Sequence, residues 1–122
     1  MASFPLNPSI LAQPGTITGS IGIIFMKPEI SGLLEKLGLA VDGVQAGSNA
    51  GLFSITEPMS DYQRQVINNF LDSAYLDFLN KVAAGRGLSL THTRALAGGR
   101  VWSGRDAARI GLVDELGGFH EA

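Results

Sequence analysis

Hydrophobic and polar positions along the chain change rhythm several times, and each change marks an expected element. Residues 17–26 carry Ile17, Ile21, Ile23, Ile24 and Phe25, a nearly continuous β-branched and aromatic run that predicts a buried strand. Gly19 and Gly22 interrupt it, and glycine inside a strand marks a bulge or a backbone held close to something else. A short helix is expected next, with Pro28 at its first position, Ile30, Leu33, Leu34 and Leu37 on one stripe, and Gly38 as its stop. Residues 39–47 then read as a second strand running into a Gly/Ser/Asn loop at 47–51. Strand, helix and strand in that order predict a βαβ unit with parallel pairing and a right-handed crossover.

The clearest pattern begins at Ser60-Asp61-Tyr62-Gln63, a capping box in which the Ser60 hydroxyl takes a free amide and Gln63 reaches back. Val66, Ile67, Phe70, Leu71, Ala74, Tyr75, Phe78, Leu79 and Val82 then fall on one face of a long helix that ends around Arg86, between Gly85 and Gly87. A shorter helix is expected from an N-cap at Ser89 to Ala97, stopped by Gly98-Gly99. Val101-Trp102 reads as a small extended piece. Asp106 is the expected capping carboxylate of a last helix over residues 107–110 that stops at Gly111. Residues 112–118 close the chain as a strand or turn. At the other end Pro5, Pro8, Pro14 and Gly15 mark residues 1–15 as an irregular N-terminal segment. Residues 16–122 read as one α/β unit, or part of one.

Composition narrows the function classes. The chain has 122 residues, 45% of them hydrophobic, which fits one globular domain with a modest core. A net charge of −2 argues against a general nucleic-acid binder. The absence of cysteine removes disulfides, thiolate zinc sites and a Cys nucleophile. The longest apolar run is Ile23-Ile24-Phe25-Met26, far short of the ~20 residues of a membrane span, and the N-terminal residues lack the pattern of a signal peptide. Five arginines and one aspartate fall within residues 86–113, which reads as ordinary exposed helix surface rather than an anion site.

Candidate chemistry is sparse. His92 and His120 are far apart and lack a second ligand at helical spacing, so no metal site is expected and both read as surface residues. No Gly-rich phosphate loop or nucleophile elbow is present. A Ser/Lys dyad is the remaining hydroxyl-based option, because a desolvated lysine can act as general base. Lys36 and Lys81 lie on the polar sides of expected helices, and Lys27 sits at a strand-to-helix junction where exposure is the default. None is a convincing base. Ser20 stands out instead: within an apolar strand its hydroxyl is expected to be partly buried and to need a partner. The plainer account is a small residue tolerated where packing is tight.

Five segments in register resemble the signal peptide peptidase A family, also called protease IV. They are Thr16-Ile17-Thr18-Gly19-Ser20-Ile21-Gly22-Ile23, residues 34–39, Val82-Ala83-Ala84-Gly85-Arg86, residues 99–107 and residues 111–118. The resemblance covers about residues 10–122. It implies an α/β fold of Clp protease/crotonase-like βαβ units with a long amphipathic helix, here incomplete as a domain, with residues 16–122 as its C-terminal part. It also implies membrane-associated rings that cleave residual signal peptides through a Ser nucleophile and a Lys general base, without a cofactor.

In the family the nucleophile lies upstream, in an Ala-Ser-Gly-Gly-Tyr-like segment. Nothing in residues 1–15 matches it, since Ala2-Ser3 is followed by Phe4-Pro5. In short members the lysine follows a Ser-Gly-x-x-Lys stretch, and Ala50 stands at that position here. In long, duplicated members the lysine comes from the other half of the chain. The sequence therefore resembles the C-terminal portion of a long member, with nucleophile and general base absent, and the isolated chain is expected to be inactive. Ser20 matches the serine of the Thr-Gly-Ser motif, which in the family orients the lysine amine, a supporting role. The implied partners are a peptide substrate and either further copies of the chain or a missing N-terminal part. Two other readings stand beside this one. The chain could be a non-catalytic assembly piece, or it could carry crotonase-like acyl chemistry, for which no acyl-CoA-binding segment is recognisable.

Overall fold

The computed structural model describes residues 9–121. They form a mixed α/β arrangement in which four helices accompany two small sheets. The helices are α1 (Ser31–Lys36), α2 (Asp61–Arg86), α3 (Leu90–Leu96) and α4 (Gly104–Arg109). The strands are β1 (Leu11–Ala12), β2 (Ile17–Gly19), β3 (Val101–Ser103) and β4 (Glu115–Leu116). β1 runs parallel to β4, pairing Leu11 with Glu115, and β2 runs antiparallel to β3, pairing Thr18 with Trp102. Among the described residues no helix is long and apolar enough to cross a membrane.

Local signals place the helices well. The Ser60–Gln63 box closes in both directions at 3.1 Å, from the Gln63 N–H to the Ser60 Oγ and from the Ser60 N–H to the Gln63 Oε1. α2 stops at Arg86, where Gly87 takes a left-handed φ of +61°. Ser89 caps α3 by accepting from the His92 N–H. α4 starts earlier than expected. Its N-cap is Ser103, whose hydroxyl accepts the Asp106 N–H and donates to the Asp106 carboxylate, so Asp106 lies in the first turn and reinforces the cap. α1 starts later than expected, at Ser31 rather than Pro28. Ile30 is the N-cap, with a non-helical backbone (φ −118°, ψ 8°); its carbonyl accepts the Leu34 N–H, while its own N–H, which no helix start can satisfy internally, donates to the Ile55 carbonyl at 2.8 Å.

The expected βαβ unit does not form among the described residues. Only residues 17–19 of the long run are strand, and their partner is antiparallel β3, some 80 positions later. Residues 39–47 form no strand and are exposed throughout. Both segments have strand composition, but a strand exists only where a neighbour satisfies its backbone, and composition does not supply the neighbour.

The chain divides into two compact units, one of residues up to Ile23 together with those from Tyr75 onward, the other Ile24–Ala74. The first holds a core of Ala12, Ile21, Leu79, Leu96, Ala97, Ala107, Leu112 and Val113, with Trp102 packed against it. Thr93 is fully buried there and satisfied, its hydroxyl donating to the Ser89 carbonyl. In the second unit the buried side chains are Gln63 and Ile67, while Ile24 and Met26 are 86% and 83% exposed.

Candidate functional site

The Thr18-Gly19-Ser20 corner is built by β2 and its antiparallel partner. Gly19 has a φ of +91°, and a Cβ there would stand 2.7 Å from the Trp102 Cδ1 and 2.9 Å from the Arg100 carbonyl oxygen. Only glycine fits that approach. Gly22 serves the same purpose three residues on, since its Cβ would meet the backbone of Gly99 at 3.0 Å. Both interruptions in the run are thus close backbone approaches.

Ser20 lies between them with a φ of +58°, the only non-glycine residue with positive φ among those described. Its N–H donates to the Arg100 carbonyl at 2.7 Å. The expected partial burial is not found: Ser20 is exposed. The left-handed turn at residues 19–20 breaks the strand before Ser20 enters the apolar run, so its side chain is not carried into the core with Ile21. An exposed hydroxyl is hydrated and demands no protein partner.

Beside the corner is a cavity of about 460 Å³ lined by Ile10, Thr18, Gly19, Ile21, Val82, Gly85 and Leu112, with Lys81 and Arg86 also on its wall. Neither cation is free. The Lys81 ammonium pairs with Asp77 at 2.6 Å on the exposed face of α2. Arg86 grips Asp114 with two N–H groups, at 2.9 and 2.6 Å, and its Nε–H donates to the Gly111 carbonyl. The Asp114 carboxylate also accepts the Ile10 N–H at 2.8 Å. The Arg86 hydrogen bonds, joined by that amide, hold the Asp114 carboxyl down at about 2. The same partner raises the Arg86 guanidinium. This clamp escaped sequence reading, because 28 positions separate its charges and no local pattern links them.

Lys27 donates to the Glu57 carbonyl at 2.5 Å, and Lys36, His92 and His120 are exposed. Ala50 lies on an exposed turn, its N–H donating to the Gly47 carbonyl. Ala2 and Ser3 lie outside the described residues. Arg94 on α3 and Arg105 and Arg109 on α4 are exposed, and Arg100 is exposed between α3 and β3, whereas Arg86, also expected on exposed helix surface, is half-buried in its clamp with Asp114.

A family model, Peptidase family S49, matches residues 2–122. The chain belongs to peptidase family S49. This family takes in the signal peptide peptidase A and protease IV proteins that the sequence resembles. A Synechocystis protein named only provisionally as a protease is 35% identical over 115 residues, covering 94% of this chain and 42% of that protein. Protease 4 of Haemophilus influenzae is 43% identical over 117 residues, covering 93% of this chain and 18% of the relative. The chloroplastic serine protease SPPA of Arabidopsis thaliana is 32% identical over 115 residues, covering 93% of this chain and 17% of the relative. The S49 chain described here thus spans less than half the length of these curated relatives.

Proposed function

We propose that this S49 chain contributes the Thr18-Gly19-Ser20 corner to a serine peptidase acting on signal peptides and other short apolar peptides. In that peptidase Ser20 orients a general-base lysine, and the nucleophile and the lysine come from polypeptide other than these 122 residues. The observation that carries the reading is the backbone of Ser20. A left-handed conformation costs a non-glycine residue on the order of 1–3 kcal/mol, and such residues gather at functional sites. Glycine would relieve that cost, yet a serine stands there, exposed beside a concave surface. A hydroxyl is no base at neutral pH, so its use is to hold another group in place by hydrogen bonding.

The same reading extends to the fold. Within a complete Clp/crotonase-like domain, residues 21–26 and 39–47 would gain strand neighbours, which accounts for side chains as apolar as Ile24 and Met26 standing in solvent here.

Two measurements test the proposal. The purified chain should hydrolyse no apolar peptide and should take no fluorophosphonate label; labelling at a single serine would place a nucleophile within it. In a peptidase reconstituted with the remaining S49 segments, Ser20→Ala should lower kcat about 10- to 100-fold, as expected when a group that orients a catalytic side chain is lost. Unchanged turnover would end the assignment.

A second reading, a non-catalytic assembly piece, is favoured by the exposed apolar side chains of the second unit, among them Ile24, Met26, Val44 and Phe53. A folded, monodisperse oligomer of the chain alone would support it.

A further inference from the structure

The left-handed backbone of Ser20 must be enforced by its surroundings, since nothing in a serine prefers it. The enforcing contacts all come from one segment. The Arg100 carbonyl accepts the Ser20 N–H, the Gly99 N–H donates to the Ile21 carbonyl at 3.1 Å, and Gly22 lies directly against the Gly99 backbone. Gly19 lies against the edge of the Trp102 ring. Residues 19–22 are therefore gripped at four consecutive positions by residues 99–102.

That segment is itself anchored. The Trp102 Nε1–H donates to the Leu96 carbonyl at the end of α3 (3.2 Å), and the half-buried ring packs against the core of the first unit. The Gly98 N–H donates to the Tyr75 hydroxyl on α2 (3.1 Å).

We infer that Trp102 is a positioning residue for Ser20: its ring, fixed to the end of α3, blocks the space behind Gly19 and holds the Gly19-Ser20 turn left-handed, which fixes where the Ser20 hydroxyl points. This rests on the proposed role of Ser20 for its functional meaning, but not for its test. The ring excludes the backbone from the strand-like path it would otherwise follow, and the Arg100 carbonyl then captures the Ser20 amide. The indole N–H keeps the ring in place, while the ring edge makes the contact.

NMR of the full chain tests this. Positive φ brings an amide proton close to its own Hα, so Ser20 should show a strong intraresidue amide–Hα NOE, and its amide should be protected from hydrogen exchange. Trp102→Ala and Trp102→Leu should each lose the strong NOE and at least 10-fold of the Ser20 protection, while Thr93, within the core, keeps its own. Trp102→Phe, which retains a ring and folds if the smaller side chains do not, should preserve the NOE. A strong Ser20 NOE persisting in folded Trp102→Ala or Trp102→Leu overturns the inference, and so does its loss in Trp102→Phe. Failure of Ser20→Ala to affect turnover would overturn the functional reading of Ser20 instead, and would leave these NMR results unchanged.

Discussion

At the scale of single residues, the left-handed backbone of Ser20 carries a measurable cost in stability. Ser20→Gly removes the steric penalty of a left-handed backbone at the expense of greater freedom in the unfolded chain. Its stability in urea should therefore equal or exceed that of the parent. Ser20→Val places a β-branched side chain where positive φ is least tolerated and should lower stability by about 1–3 kcal/mol. Asp114 gives a pH signature. Its folded-state carboxyl titrates at about 2 against 3.8 without its partners, because Arg86 and the Ile10 amide favour the charged form. The contribution is then fully present above pH 3.8 and is lost as the pH falls toward 2. Urea unfolding at a series of pH values should show that loss in the parent and a flatter profile in Asp114→Asn, which should also be the less stable protein at pH 5.

Helices and strands differ in how much of them the sequence spelled out. The Ser60 and Ser89 caps and the stops at Gly87 and Gly98 act within a few residues, so their signals are local and were legible. Ser60→Ala should cost about 1 kcal/mol in thermal or urea unfolding, the usual worth of an N-cap. α4 carries a constraint that no local pattern announced. A Cβ on Gly104 would collide with the Gln13 carbonyl oxygen, because the Gly104 N–H donates to the Thr16 carbonyl at 2.7 Å and brings the backbones together. Gly104→Ala should destabilise the chain by about 1–3 kcal/mol as backbone is forced to move. The same substitution at Gly85, where a Cβ meets nothing within 4 Å, should not lower stability, and circular dichroism melts of the two variants make the comparison. Of the candidate site, the Thr-Gly-Ser corner was legible from the two interrupting glycines. Its antiparallel partner and the exposure of Ser20 were not.

For the molecule as a whole, the core of the first unit is drawn from widely separated stretches of chain, with Leu79 fully buried at its centre. Leu79→Ala should lower its stability by about 2–5 kcal/mol, read from urea or thermal unfolding, since the removed atoms leave a cavity the neighbours fill only in part. By itself the amino-acid sequence determined the long capped helix, the glycine stops, the absence of thiol chemistry and the resemblance to S49 peptidases, all of which reside in neighbouring residues or in motif order. Only the tertiary structure decided which strand pairs with β2, that Arg86 clamps Asp114, and that Ser20 faces solvent in a left-handed turn held by Arg100 and Trp102. Helix hydrogen bonds close within four residues and so are written locally. A strand edge, an ion pair across 28 positions or a ring behind a glycine depends on which distant segment arrives, and that is settled by packing.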